Sequence, residues 1–259
     1  KFRPARLVLF DISEAALYEI RTALGDEFTQ LPMVTVVGDV KHAALVEDVL
    51  EREKPNVVFH AAAYKHVPLM EETNAWQAVR NNAYGTWVIA RASVAAKVEK
   101  FVLVSTDKAV NPTSVMGASK RLAEIVCQTL QGGGTAFVVV RFGNVFGSAG
   151  SVIPRFREQI ARGGPVTVTH PDITRYFMSL SEATQLLLQA GLMGRSGEIL
   201  VLDMGDPVRI LDLARDMIRL SGADPDHIPI VFTGLRPGEK LYEEVLASEE
   251  ATRSTPHPK

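Results

Sequence analysis

Leu7-Val8-Leu9-Phe10-Asp11-Ile12-Ser13 is the stretch on which the fold turns. Four apolar residues end on a carboxylate, and Ser13 stands where its hydroxyl can accept a hydrogen bond from a free N–H of a following helix. Working outward from this strand, short apolar runs rich in β-branched residues recur at Val34 to Val37, Val57 to Phe59, Phe101 to Val104 and Phe137 to Val140. Their apolarity is continuous and does not alternate, which suits strands covered on both faces. Segments with helical spacing separate them: Ala15 to Leu24, Ala43 to Arg52, Trp76 to Ala96 and Arg121 to Leu130. This order predicts an α/β fold with a doubly wound parallel sheet, its right-handed crossovers placing helices on both faces.

After Arg141 the pattern loosens into a helix around Val152 to Ile160, a strand Val166 to Val168, a helix from Ser181, a strand Ile199 to Leu202, a helix Ile210 to Leu220 and a strand near Ile230. The expected organisation is therefore a main domain over residues 1–142 and a smaller mixed C-terminal substrate lobe over 143–247, from which a strand can return to the main sheet. A polar tail over 248–259, with Pro256 and Pro258, is expected to be loosely held. With 259 residues, 46% of them hydrophobic and 22% charged, the chain can bury a sizeable core. A net charge of −2 provides no field for nucleic acid, so a phosphate-bearing partner must be held by local groups. The single cysteine, Cys127, excludes an internal disulfide and any multi-cysteine metal site, and its helical surroundings suggest a buried small hydrophobe. No metal is expected. No apolar run approaches the ~20 residues that cross a bilayer, so no membrane contact is expected of the residues given.

Asp11 sharpens the fold class. In a Rossmann-type dinucleotide fold the first strand is followed by a G-x-G-x-x-G loop, and an acidic residue closes the second strand. Here Asp11 closes a strand that leads into a helix with no glycine loop, so Leu7 to Phe10 reads as the second strand, with the first strand and its loop absent from this sequence. A carboxylate there accepts hydrogen bonds from an adenosine ribose and repels a 2′-phosphate, favouring NAD over NADP. Taken alone, Asp11 also reads as an ordinary acidic residue before a helix. Because the pyrophosphate sits over the glycine loop and helix N-terminus, these 259 residues alone are expected to bind NAD poorly and to be inactive.

The stretch from Ser105 to Arg121, STDKAVNPTSVMGASKR, follows the strand Phe101 to Val104. It resembles the active-site segment of extended short-chain dehydrogenase/reductases, specifically the CapD-like polysaccharide-biosynthesis branch. Supporting segments span nearly the whole chain: Gly38-Asp39-Val40, Ala61 to Pro68, Asn81-Asn82 with Gly85-Thr86, Arg141 to Val145, and Arg236-Pro237-Gly238-Glu239-Lys240. The resemblance implies a UDP-N-acetylglucosamine 4,6-dehydratase, a lyase of capsule or other surface-glycan biosynthesis with a UDP-sugar as partner. It implies a cytoplasmic catalytic domain and leaves open both an upstream region attached to the inner membrane and a homo-oligomer. In this reaction hydride leaves sugar C4, water is lost across C5 and C6, and the hydride returns to C6, so NAD is not consumed. One base near C5 and one acid near the C6 hydroxyl are needed. By resemblance Lys108 is the base and Asp107 the acid. The bland alternative is a solvated loop pair.

The superfamily's Tyr-x-x-x-Lys dyad has Met116 in place of tyrosine, and a thioether moves no proton. Thr106, through a water or Asp107, is then expected to hold the C4 hydroxyl, while Lys120 binds the cofactor ribose. A dead scaffold, with Lys120 on the surface, is the competing reading. By the same resemblance Asp39 and Val40 contact the adenine, and Ala61, Ala62 and Ala63 let the backbone approach the dinucleotide. Asn144, Arg175 and Arg236 are expected on the substrate, the arginines as planar forks for phosphate oxygens. Two other functions compete: a nucleotide-sugar 4-epimerase, which has no use for an elimination pair, and a catalytically silent NAD-binding module.

Overall fold

In the computed structural model, which describes residues 3–148, 150–222, 227–247, 250 and 252–259, Ser13 caps a helix from the position it occupies in the sequence. Its Oγ accepts from Ala16 N at 3.2 Å, joining β1 (Leu7–Asp11) to α1 (Glu14–Glu27). β2 (Met33–Val37) pairs in parallel with β1, Leu7 opposite Met33 and Asp11 opposite Val37. α2 (Ala43–Glu53) leads to β3 (Val57–His60), followed by α3 (Val67–Glu71), α4 (Ala75–Ala78) and α5 (Gly85–Ala95). The run expected as one helix from Trp76 to Ala96 is thus interrupted: Val79–Tyr84 is a π-helical segment. Asn81 and Asn82, consecutive within this segment, are both buried.

β4 (Lys100–Val104), α6 (Val115–Thr129) and β5 (Ala136–Arg141) complete the second βαβ unit. α6 begins six residues before the expected Arg121 because Ser114 caps it, its Oγ accepting from Gly117 N at 3.0 Å. Beyond β5 come β6 (Asn144–Val145), α7 (Val152–Ala161), β7 (Val166–Val168), β8 (Thr174–Arg175) and β9 (Phe177–Met178). They are followed by α8 (Leu180–Met193), β10 (Ile199–Val201), β11 (Val208–Arg209), α9 (Ile210–Leu220) and β12 (Ile230–Phe232). β10 returns to the main sheet, parallel to β5, giving the order β10-β5-β4-β3.

The unbroken apolarity of β4 and β5 has a direct cause. Phe101, Leu103, Phe137 and Val139 face α5 and α6 with Ala90, Ala123 and Cys127, while Val102, Val138 and Val140 face α8 with Ala183, Leu186 and Ala190. Each fully buried phenylalanine contributes about 1.5–3 kcal/mol of apolar transfer, and Phe101 and Phe137 add a ring contact at 5.3 Å. Burial pushes the Cys127 thiol up to about 12, so it behaves as packing and not as a nucleophile. A separate core joins α7, β7, α9 and β12 around Phe156, Val166, Val168, Ala214 and Ile218.

Among the described residues the main parallel strands form two sheets, β1–β2 and β3–β4–β5–β10. Phe10 of β1 and Val58 of β3 nevertheless pack on the same helical layer, against Val46, Leu50, Val88 and Ala92 of α2 and α5. In a doubly wound sheet the first strand lies between the second and the fourth. With β1 as the second strand and β3 as the fourth, the interruption falls where the first strand belongs. No helix among the described residues is long and apolar enough to cross a membrane.

Candidate active site

The C-terminal end of β4 continues along β5 through Ser105 N to Val140 O (2.7 Å) and Asp107 N to Phe142 O (3.1 Å), so residues 105–107 are held as firmly as the strand itself. Thr106 caps a short 3₁₀ turn, Asp107–Ala109, and its hydroxyl donates to Asp107 Oδ1 at 2.8 Å. Asp107 is fully buried. Lys108 Nζ donates to the same Oδ1 at 3.0 Å and to Asn144 Oδ1 at 3.3 Å. The other carboxylate oxygen, Asp107 Oδ2, is buried without a hydrogen-bond partner. It faces Gly143, where a Cβ would stand 3.2 Å away. The two glycines flanking this site are there for space: at Gly117 a Cβ would lie 2.2 Å from Lys108 O, so only glycine lets α6 seat on the Lys108 backbone.

Ser105 is fixed from behind. Its Oγ donates to Glu124 Oε1 (2.6 Å), and the same buried carboxylate receives both Nε and Nη2 of Arg141 at 2.8 Å. Burial opposes the ionisation of Glu124, but the hydrogen bonds from Arg141, Ser105 and Arg121 outweigh it and hold the carboxyl below its ordinary range. Arg141 Nη1 in turn grips Glu250 at 2.9 and 2.7 Å, so the C-terminal segment is tied to the strand that carries the site.

Of the two dyad positions on α6, Met116 is buried in an apolar cluster with Met70 and Ala78. It was placed among the catalytic positions by resemblance; here its side chain is packing. Lys120, four residues on, is buried and donates to Val104 O at 2.7 Å. Burial pulls its ammonium down to about 8. The expectation of a surface lysine, which the dead-scaffold reading required, is overturned. Burial, followed by the charge of Lys120, also drives the His60 imidazole down to about 3, and its Nε2 lies 2.9 Å from Thr86 Oγ1.

Of the residues expected around the dinucleotide, Asp39 opens a polar path that runs across the ends of the parallel strands to the start of α6. Asp39, after β2, pairs with Lys41 at 2.8 Å; Lys41 Nζ donates to Asn81 Oδ1 (3.1 Å), Asn81 to Asn82 Oδ1 (3.2 Å), and Asn82 to Ser119 Oγ (2.9 Å). Asn82 also clamps both backbone groups of Tyr64, next to Ala61, Ala62 and Ala63, at 2.8 and 2.9 Å. The π segment therefore braces the loop after β3 against the start of α6. Asp11 is exposed at the end of β1, its Oδ1 accepting from Ser13 N at 2.8 Å. The Val40 side chain is buried, and a Cβ on Gly85 would stand 2.9 Å from it, which makes that side chain a packing element.

On the opposite side, residues 236–244 lie across the segment after Lys108. Lys240 Nζ donates to Val110 O (2.9 Å), Asn111 to Glu244 (3.1 Å) and Thr113 to Gly238 O (3.2 Å). Arg175 was expected to present a fork to phosphate. Instead its Nη1 donates to Thr174 O (2.7 Å) and Leu241 O (3.3 Å), and its Nη2 to Lys240 O (2.9 Å) and Glu239 (3.4 Å). With its donors turned onto carbonyls and a carboxylate, Arg175 is a clamp for this strap and not a free phosphate fork. Arg236 stands at the rim, paired with Glu239 at 3.0 Å but 45% exposed. One residue that sequence reasoning missed is Glu243. It is buried, with Oε1 at 3.7 Å from Lys108 Nζ and 3.8 Å from Arg175 Nε. The signal was present in the alternation after Lys240: Leu241, Glu243 and Val245 turn inward while Tyr242 and Glu244 are exposed.

Comparison with known proteins places this geometry in a family. The chain is 52% identical over 253 residues to the capsular polysaccharide biosynthesis protein CapD of Staphylococcus aureus, covering 96% of this chain and 42% of that protein. It is 48% identical over 260 residues to the probable polysaccharide biosynthesis protein EpsC of Bacillus subtilis, covering 100% of this chain and 43% of that protein. It thus spans less than half the length of these relatives. Among solved structures, Pen from Bacillus thuringiensis superposes with a TM-score of 0.86 at 35% identity, over 94% of this chain and 76% of that one. A double mutant of DesIV, a dTDP-glucose 4,6-dehydratase from Streptomyces venezuelae solved with NAD, shares the fold with a TM-score of 0.81 at 23% identity, over 93% and 79%. The family model described as polysaccharide biosynthesis protein matches residues 1–259, and the chain belongs to that family.

Proposed function

We propose that this chain is the catalytic part of a UDP-N-acetylglucosamine 4,6-dehydratase with NAD as its resident cofactor, acting in surface-polysaccharide assembly. The observation that carries the proposal is the hydrogen-bonded triplet at the end of β4, where α/β sheets bind their ligands: buried Asp107 bonded by the half-buried Thr106 and Lys108. The residues present suit the two ribose ends of a dinucleotide: Asp11 offers carboxylate acceptors and Lys120 a buried ammonium beside the strand end. The carboxylate of Asp11 favours NAD over NADP. Bound there, the cofactor supplies a hydride acceptor for sugar C4 and a hydride donor for C6.

The chain's own residues supply the proton transfers. Thr106 takes the C4 hydroxyl proton and passes its own to Asp107 Oδ1 across 2.8 Å, so no acid–base group is needed at Met116. Asp107 then delivers that proton from Oδ1 to the departing C6 hydroxyl. Lys108, in its amine form, removes the C5 proton and, after exchange with solvent, returns a solvent-derived proton to C5. Asn144 orients Lys108, and Arg236, at the rim, remains suited to the diphosphate. The C4 proton thus leaves in the water, and the donor and acceptor are regenerated.

The test is mass spectrometry and proton NMR of UDP-N-acetylglucosamine incubated with the full-length protein and NAD in deuterated water. Loss of one water with deuterium at C5, abolished in Lys108→Ala and Asp107→Asn, is the expected result. A C4 epimer with no loss of water would replace this reading with an epimerase, and an unchanged sugar despite NAD binding would sink the substrate assignment.

A further inference from the structure

Proton bookkeeping in this site leaves one transfer without a partner. If Asp107 collects the C4 proton through Thr106, it cannot also accept the proton that Lys108 must lose before it can act as a base. Either solvent, which reaches the partly exposed Lys108, or a second acceptor near its Nζ takes that proton. Among the described residues, the ionisable groups facing Lys108 are Asp107, at 3.0 Å, and Glu243, at 3.7 Å. Asn144 is neutral and receives a hydrogen bond from Lys108 at Oδ1 without taking its proton.

Glu243 has the properties of such an acceptor. Its side chain is 4% exposed, so bulk water does not compete for it. Its Oε2 is buried and has no hydrogen-bond partner, so the carboxylate is not consumed by the fold as Glu239 is, on Arg236 and Arg175. The one other cation facing it is Arg175, 3.8 Å away, which stays charged and keeps the carboxylate from being an isolated buried anion. The strap bonds of Lys240 and Asn111 hold the two segments together, and a change in the Lys108 side-chain torsions that moves Nζ toward Glu243 brings the pair within hydrogen-bond distance.

We propose that Glu243 is a positioning residue that acts through Lys108: it takes the ammonium proton as Asp107 is protonated from the C4 hydroxyl, and returns it when the cycle closes. An N–H bond of Lys108 breaks and an O–H bond forms on Glu243, with no change of oxidation state. The inference rests on the dehydratase reading.

The experiment compares the pH dependence of kcat for UDP-N-acetylglucosamine dehydration in the wild type, Glu243→Gln and Glu243→Asp, together with the absorbance of reduced cofactor during turnover. In the wild type kcat is flat around neutral pH. In Glu243→Gln, Lys108 must lose its proton to solvent, so kcat falls about 100-fold near neutrality and then rises by about tenfold per pH unit, with KM unchanged. Reduced cofactor accumulates, because C4 oxidation continues while elimination stalls. Glu243→Asp keeps an acceptor and keeps the flat profile. A Glu243→Gln profile parallel to the wild type, or a Glu243→Asp profile that rises like that expected for glutamine, overturns the proposal. A wild type that oxidises or binds the sugar without losing water instead overturns the dehydratase reading on which it rests.

Discussion

Lys120→Met separates a functional group from a structural one by making the protein more stable and less able to hold its cofactor. Lys120 is buried, its ammonium pulled from an ordinary 10.5 to about 8 by burial. Between those values the unfolded chain still binds the proton and the folded chain has released it, so wild-type stability rises with pH through this window. The slope is about 1.4 kcal/mol per pH unit, and the whole rise is about 3 kcal/mol. Methionine removes this dependence and also loses the hydrogen bond to Val104 O, a pH-independent cost of about 1 kcal/mol. The assay is urea unfolding of both proteins from about pH 7 to pH 10.5, taking the difference so that titration of other lysines and tyrosines cancels. The variant is expected to be the more stable near pH 7 by about 2 kcal/mol, and that advantage is expected to vanish and reverse by pH 10.5. Cofactor affinity should fall in the same variant. A stability difference that is flat with pH would refute the claim that Lys120 is held as a buried, costly charge.

Gly117→Ala places a Cβ 2.2 Å from the Lys108 carbonyl, and because backbone cannot yield as a side-chain tip can, kcat should drop on the order of 100-fold with the protein still folded; thermal unfolding and steady-state rates check both halves. Glu124→Ala removes the buried one of the two carboxylates on Arg141, leaving Glu250, and should cost about 1.5–3 kcal/mol in denaturant unfolding near neutral pH. Since the Glu124 carboxyl is held below its ordinary 4.5, its stabilisation is present above that value and is lost as pH falls, so the two proteins should converge in acid. Asp11→Ser should raise NADP affinity relative to NAD by about tenfold or more, the equivalent of one charge-assisted hydrogen bond, as measured by calorimetry on the full-length protein.

The central strands were legible because burial on two faces leaves its mark in consecutive residues: Phe101 and Val102 point oppositely, yet both meet a helix. The break between the two sheets was legible for a related reason, since a strand that ends on Asp11 and enters a capped helix directly has its place in the winding order whatever precedes it. The π segment was not legible. Val79 to Tyr84 has the composition of ordinary helix, and what widens the turn is the tertiary demand that Asn81 and Asn82 reach Lys41, Tyr64 and Ser119 together.

At the site, residue type gave the chemistry but not the direction in which a side chain is aimed. Arg175 and Arg236 are alike in sequence as forks, and the difference between them is tertiary: the first meets the carbonyls of residues 174, 240 and 241, whereas the second remains at the rim. Glu243 shows the reverse case. A glutamate in Leu241-Tyr242-Glu243-Glu244-Val245 looks like solvated surface until the alternation of burial is read: Leu241 and Val245 reach two different cores, and Glu243 between them is buried. A buried acidic residue must be paired or be used. The structure leaves one of its oxygens unpaired and sets the other 3.7 Å from Lys108, so the strap that closes the C-terminal half over β4 also carries a second carboxylate to the lysine.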